Sequence, residues 1–236
     1  MAARMPLRLS AIVPTWNEAG RIVRTLRNLR RSGVDEVIVV DGGSGDNTAL
    51  LAREHADRVL EAPGGLFLQL NAGAEEARGD VLLFHYADVE LLPEARPALE
   101  RALEDERVAG GAFRLELAST RWCYRLIAAG AAVRNRLGLG PFGDQTIFVR
   151  AAAFRELGGY RPEILLADHD LLRRLRRQGK VALLSVAVRA SVRRWEQDGV
   201  VRTQLRHAWL CALHLAGRRR VPPSKREGVE ALRKVR

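Results

Sequence analysis

The stretch from Val37 to Thr48 does most to limit what this chain can fold into. Four apolar residues, Val37-Ile38-Val39-Val40, run into Asp41, and Gly42-Gly43-Ser44-Gly45-Asp46 comes next, with Asn47 and Thr48 placed to cap a helix. The pattern predicts a buried strand whose C-terminal end brings a carboxylate and a flexible turn to a cleft. In open α/β sheets, ligands bind beyond such strand ends. An ordinary strand-to-helix connection uses the same residue types, so the stretch alone leaves both readings open.

Its surroundings are built alike. Leu7 to Val13 reads as a first strand ended by Pro14. Ile22, Leu26 and Leu29 then recur at helical spacing up to Gly33. Glu36 to Val40, Arg58 to Leu60 and Asp80 to Phe84 are further strands, with helices at 48–55 and at 66–77 after the Pro63-Gly64-Gly65 break. Four strands separated by helices predict βαβ units and a mostly parallel sheet. Beyond them, helices are expected at 93–106, 122–137 and 151–157, and from Asp168 to Arg177, with strands at 110–117, 146–149 and 181–188. A last amphipathic helix spans 200–216 and carries Val201, Leu205, Ala208, Trp209 and Ala212 on one stripe. The expected organisation is one domain over 1–217, divided into a nucleotide-binding half at 7–92 and an acceptor half at 93–217. A basic tail, 218–236, completes it.

Charge separates the classes of function. The chain carries +11, but residues 202–236 hold ten Lys/Arg against two Glu, so the body is nearly balanced. A nucleic-acid-binding domain would show its basic face on the folded body. A basic tail suits an anionic surface instead, either phospholipid or a phosphate-bearing substrate. The terminal amphipathic helix makes peripheral contact with a membrane a second expectation. The first residues are too short and proline-interrupted for a signal peptide. No stretch reaches the ~18 uncharged apolar residues of a membrane span. Two cysteines, Cys123 and Cys211, make no disulfide framework. The cytoplasm is the default compartment, with the inner face of the membrane as the peripheral alternative.

Asp88 and Glu90 come directly after the strand that ends at Phe84. Hard divalent cations such as Mg²⁺ and Mn²⁺ are held by one or two carboxylates together with substrate phosphates. Residues i and i+2 of an extended segment share a side. Both acids are therefore candidate metal ligands, or Asp88 binds alone and Glu90 caps the next loop or helix. Arg194 could reach a diphosphate. Trp195 fits an acceptor wall or the core equally well. Asp144 and Gln145 come after a glycine loop, and either touch an acceptor or serve the turn. His169, between two acids, reads as a helix cap before it reads as a metal ligand. Asp170 points away from Asp168 on a helix and is either structural or a support to a residue of the site. Trp16 either stacks on a base or packs under the sheet.

Taken in order, Pro14-Thr15-Trp16-Asn17-Glu18, Val39 to Thr48, Asn71-Ala72-Gly73 and Ala87-Asp88 resemble the successive motifs of family 2 glycosyltransferases. Gly143-Asp144-Gln145, Gly158-Gly159-Tyr160, Asp168-His169-Asp170-Leu171 and Arg194-Trp195 continue the likeness, which covers roughly residues 8–216 and is nearest to the small bacterial soluble branch. The resemblance implies an α/β GT-A fold, a Rossmann-like, mostly parallel central sheet flanked by helices, with the amphipathic helix at its C-terminal end. It also implies a nucleotide-sugar donor, UDP- or GDP-linked, and an acceptor that is a glycan, a lipid or a small molecule. Pro14, Asn17 and Glu18 would line the nucleotide pocket together with Gly43, Ser44, Asn71, Gly73, Ala87 and Arg194, and Asp41 would bond the base. Asp88 matches the second acid of the family's DxD motif, which holds Mn²⁺ or Mg²⁺ against the diphosphate. Asp168 matches the general base of inverting members.

The chain departs from that pattern at several points. Tyr86 stands where the first DxD acid belongs, and Gly42 where a second acid often accompanies Asp41. Leu66-Phe67-Leu68 stands where relatives tend to carry arginines, and Ala167 where they often have Glu. Ser191-Val192-Arg193-Arg194-Trp195 lacks the glutamine of processive members, which argues against polymer synthesis. A catalytically degenerate nucleotide- or sugar-binding module is the rival expectation. The glycine-rich turn lacks the third glycine of a dinucleotide fingerprint and comes after the second strand, which argues against an NAD enzyme. A nucleotidyltransferase would need a glycine-rich phosphate loop after the first strand, where Pro14 to Glu18 stands.

Overall fold

The computed structural model describes residues 7–62, 65–136 and 140–216. The Pro63-Gly64 break and the basic tail lie outside the described residues, as do the side chains of Arg194 and Cys211. One eight-stranded sheet runs through the molecule in the order β3-β2-β1-β4-β7-β6-β8-β5. Its first six strands by sequence are β1 (Leu9–Thr15), β2 (Glu36–Asp41), β3 (Arg58–Glu61), β4 (Val81–Phe84), β5 (Val89–Leu91) and β6 (Val108–Leu117), and β7 (Ile147–Arg150) and β8 (Lys180–Ala190) complete it. β3, β2, β1 and β4 are mutually parallel, as the βαβ pattern requires. β7 runs antiparallel to both β4 and β6, and β8 returns parallel to β6.

Alternation along the strands feeds two cores. Ala11, Val13, Val37 and Val39 face one side, and Ile12, Ile38, Val40, Leu82 and Phe84 the other. On the first side lie α1 (Ile22–Arg31), α4 (Ala95–Leu103) and α5 (Trp122–Arg136), which contribute Leu26, Leu99 and Tyr124. The second side is covered by α3 (Leu66–Glu76), α6 (Ala151–Glu156) and α7 (Ala167–Leu175), through Leu70, Phe154 and Leu171. The short α2 (Thr48–Arg53) succeeds the glycine turn. α8 (Arg193–Asp198) and α9 (Val200–Leu215) end the described chain.

Three elements differ from the sequence reading. Pro14 does not end β1, which continues through Thr15 beside β2. His85 donates its N–H to Ile12 and Gly42 donates to Thr15, so even residues of β1 face β4 and odd ones face β2. The N–H that Pro14 lacks would point toward β4, whose ladder with β1 ends at Ile12 and Phe84, so no bond is lost. β5 is too short to give a period, and it forms because β8 offers it an edge at Val188 to Ala190. α8 stands where the sequence pattern predicts no helix. The register of β6 with β8 jumps between Ala112 and Arg114. Such irregularities bend strands, and past this one β8 takes up β5. Among the described residues no helix is long and apolar enough to cross a membrane.

Candidate functional site

β1 and β4 part after Ile12 and Phe84, and the loops at the C-terminal ends of β1, β2 and β4 gather around that opening. The turn after β2 is organised by Asp41, which is 3% exposed. Its Oδ1 accepts the Thr15 hydroxyl at 3.0 Å and the Ser44 hydroxyl at 2.5 Å. Its Oδ2 accepts the N–H groups of Gly43 at 3.0 Å and Ser44 at 2.7 Å. A carboxylate offers about four lone-pair sites, and all are taken within the protein. Asp41 could meet a nucleotide base only by exchanging one of these bonds. The structure thus makes it the organiser of the turn, where the resemblance implied direct contact with a base.

Two loops are knitted here. Asn17, in the left-handed region at φ 53°, donates its N–H to Ser44 Oγ at 2.9 Å and accepts the Gly45 N–H at 2.8 Å. Glu18 donates its N–H to Thr48 Oγ1, and Ala19 donates to Asp46 Oδ2. The Glu18 carboxylate lies 3.2 Å from Arg21 Nη1 and 3.7 Å from Arg193 Nη2. Arg193 of α8 therefore reaches this loop, while the side chain of the expected Arg194 lies outside the described residues. Beneath, Gln69 donates to the carbonyls of Thr15 and Val40, at 3.0 and 2.9 Å, and fills the space beside Gly42. A Cβ at position 42 would meet the Gln69 amide, which both of these bonds hold in place. Gln69 sits inside a mostly apolar helix, and its spacing gives no sign of this role.

Two expected pocket residues carry structural contacts. Asn71 clamps the Tyr160 backbone from both sides, donating to its carbonyl and accepting its N–H, each at 2.9 Å. Gly73 lets α3 rest on Ile12 and Val40, where a Cβ would collide with both side chains. Phe67, in place of an expected arginine, packs on Tyr160 with ring centroids 5.1 Å apart. Phe84 and Phe154 surround the same ring.

The segment after β4 is pinned by α1. Thr25 donates its hydroxyl to the Ala87 carbonyl at 2.6 Å, and Asn28 exchanges two bonds with Leu91. His85 is fully buried, with Nδ1 2.9 Å from Thr146 Oγ1 and Nε2 3.0 Å from the Val89 carbonyl. The carbonyl can only accept, so Nε2 carries the proton and Thr146 donates to Nδ1. Burial pushes His85 down to about 4. It is neutral at pH 7, and it ties the end of β4 to the entry of β7.

Asp88 is half-buried in the next turn. Its carbonyl accepts the Ser191 N–H at 2.9 Å, which fixes the backbone that presents its carboxylate. Glu90 turns to a cation: Arg24 Nη2 lies 3.8 Å away, and Arg189 stands opposite in the ladder. This arrangement gives no support to Glu90 as a metal ligand. Among the described residues, no three His, Cys, Asp or Glu gather where they could hold a metal ion. A single carboxylate still fits Mg²⁺ or Mn²⁺ of the kind completed by substrate phosphates and water, because such ions seldom use an all-protein cage.

Across the opening, Asp168 in the first turn of α7 is 4% exposed and accepts the Gly143 N–H on Oδ2 at 3.0 Å. Gly143 lies directly against the Tyr86 ring, where any Cβ would collide with it. Tyr86, Gly143 and Asp168 thus form one continuous contact from the end of β4 to α7. Burial, reinforced by the Asp168 charge, raises the Tyr160 phenol well above its ordinary range and keeps it protonated. Asp144 is half-buried in the same loop. Gln145 is fully buried, donating to the Phe113 carbonyl at 2.8 Å and accepting from Asn135 at 3.1 Å, so it supports the loop and does not face an acceptor. Trp195 belongs to the core, edge-on to Tyr124. Asp170 bonds Arg174, which in turn caps the Leu157 and Gly159 carbonyls. Burial alone would raise the Asp170 carboxyl, but hydrogen bonds from Arg173 and Arg174 hold it below its ordinary value. Its structural reading stands.

Known proteins share parts of this sequence and this architecture. The chain is 32% identical over 147 residues to an undecaprenyl-phosphate 4-deoxy-4-formamido-L-arabinose transferase of Pseudomonas aeruginosa, covering 56% of this chain and 43% of that protein. It therefore spans under half the length of that curated relative. Residues 1–349 of S. aureus TarS, solved with UDP-GlcNAc, share the fold with TM-score 0.64 and 18% identity over 78% of this chain and 58% of that one. The mannosyltransferase PcManGT of Pyrobaculum calidifontis, solved with GDP-Man and Mn²⁺, does so with TM-score 0.58 and 18% identity over 77% and 57%. These two likenesses establish the GT-A fold. Residues 10–157, well over half of the chain, match the family model described as glycosyl transferase family 2, and the chain belongs to that family.

Proposed function

We propose that this chain transfers a sugar from a UDP- or GDP-linked donor to an oxygen nucleophile of a glycan, a lipid or a small molecule, with inversion at the anomeric carbon. The single observation that carries the reading is the unbroken contact Tyr86–Gly143–Asp168, which sets the carboxylate of α7 against the turn bearing Asp88. Residues 7–92 form the donor half, with Asn17, Glu18 and the Asp41-braced turn as its wall, and 93–217 form the acceptor half. Asp88 would hold Mn²⁺ or Mg²⁺, which would neutralise the departing nucleoside diphosphate. Asp168 takes the proton from the acceptor oxygen as that oxygen attacks the anomeric carbon and the bond to the diphosphate breaks. The Gly143 N–H orients its carboxylate, and the neutral Tyr160 phenol adds no competing charge.

The test is turnover of a nucleotide-sugar panel with and without Mn²⁺, in native protein and in Asp88→Ala. Native turnover that depends on metal and falls sharply in the variant is the expected result. Equal turnover in the two would remove Asp88 from the metal. The internally saturated Asp41 and the tyrosine in place of an acid favour a second reading, a donor-binding module without transfer. UDP binding by calorimetry, with no turnover of any donor, would select it.

A further inference from the structure

The exposed apolar residues are concentrated on two helices that the proposed chemistry does not use. Six of the ten large hydrophobic side chains exposed among the described residues lie on α5 and α9. On α5 they are Trp122, 73% exposed, with Leu126 and Val133, spaced so that they fall on one stripe. On α9 they are Val201, Leu205 and Trp209, again at helical spacing and at least 58% exposed. The helices are tied to one another through α8. Trp195 stands edge-on to Tyr124 of α5 at 6.4 Å and to His207 of α9 at 6.5 Å. Tyr124 and Leu210 are the buried sides of the two helices, which leaves the tryptophan stripes turned outward.

The charge beside the stripes names the occupant. Neither helix contains an Asp or a Glu, and Arg121, Arg125 and Arg202 are exposed next to the apolar residues. The sequence after residue 217 adds eight Lys/Arg against two Glu. A second copy would set this acid-free face against itself, because a two-fold interface repeats one patch on both sides and brings arginine to arginine. An anionic lipid surface satisfies both halves of the pattern, since tryptophan and leucine enter the headgroup boundary while arginines meet phosphate.

We propose that α5 and α9 together form a docking surface for an anionic phospholipid membrane. The surface stands independently of the glycosyl-transfer reading, because binding to lipid needs neither donor nor turnover. The experiment is flotation of the full chain with phosphatidylcholine vesicles, with and without phosphatidylglycerol, read alongside tryptophan fluorescence. Expected are recovery with the anionic vesicles only, a blue shift, and weakening by salt. Exchanging Trp122→Ser together with Trp209→Ser should lower the lipid affinity at least about tenfold, with circular dichroism unchanged. Arg121→Glu with Arg125→Glu should abolish the preference for anionic lipid even if the serine variant folds poorly. Equal flotation with the two vesicle types, no flotation, or full retention in both variants would overturn the proposal. So would a dimer, seen by sedimentation of the lipid-free protein, that the serine variant dissolves.

Discussion

Two buried acids, Asp41 and Asp168, face the same opening and are held in opposite ways. Asp41 is fixed by its own turn: Gly43 and Ser44, two and three residues along, supply three of its four bonds, and Thr15 on the adjacent strand supplies the fourth. Asp168 is positioned by Gly143, 25 residues away, and Gly143 is in turn seated on Tyr86. One carboxylate spends its acceptors on building the wall of a pocket. The other is held in place by a chain of long-range contacts, at the position where we propose that it takes a proton. A turn-building acid should therefore govern stability, and a delivered acid should govern rate.

The largest expected effect separates the two directly. Asp168→Asn keeps an oxygen for the Gly143 N–H but cannot take a proton, so transfer should fall by about 10²–10⁴-fold. Nucleotide affinity and thermal midpoint should stay near native. A loss of nucleotide affinity comparable to the loss of rate, measured by calorimetry beside kcat, would contradict the role given to Asp168.

The same contrast explains what can be read in the sequence. The Asp41 turn, the strands on either side of it and the helix at Ile22, Leu26 and Leu29 are legible because their reasons are local: period and turn chemistry within a few residues. Asn47, expected to cap α2, nonetheless makes no side-chain cap bond. Motif resemblance puts Asn71, Gly73 and Gln145 in the site, yet each answers to a distant partner, Tyr160, Ile12 and Phe113 respectively. β5 exists only because β8 offers it an edge. His85 shows no pattern at all in sequence, because its meaning depends on Thr146 arriving from another strand.

His85 gives the next effect, on the Asp168 side of the opening. Its value is 6.5 in the unfolded chain and about 4 in the fold. The fold therefore disfavours its proton, so this contribution is complete above pH 6.5 and is lost as pH falls through 4. The loss amounts to about 3 kcal/mol at full protonation. Urea midpoints at pH 7 and pH 4.5 should differ more in native protein than in His85→Gln. Equal pH sensitivity in the two would show that protonation of His85 is not what acid acts on.

Asp41→Ala should cost about 2 kcal/mol, because it strands two hydroxyls and two N–H groups that the carboxylate now satisfies. Thermal unfolding would register this directly, and nucleotide affinity would weaken with it as the pocket wall loosens. Asp41→Ala that unfolds like native while losing affinity would instead restore direct contact with the base.

The smallest effect tests why the turn carries glycine at position 42. A Cβ there would lie 2.8 Å from Gln69 Nε2 and 3.3 Å from the Thr15 carbonyl oxygen. Gln69 is a long side chain that could swing away if it were free, but it is pinned by bonds to both Thr15 and Val40. Gly42→Ala must break one of those bonds or bend the strand end, and the cost should be near 1 kcal/mol, the net value of one such bond. Gln69→Ala should itself destabilise, because it removes two buried hydrogen bonds, to the carbonyls of Thr15 and Val40. In that shortened background only the 3.3 Å approach to the Thr15 carbonyl oxygen remains, so adding Gly42→Ala should cost less than it does in the native protein. A double-mutant cycle by urea unfolding then gives a coupling that is part of the single cost. Strict additivity of the two changes would mean that Gly42 answers to the turn's backbone and not to Gln69.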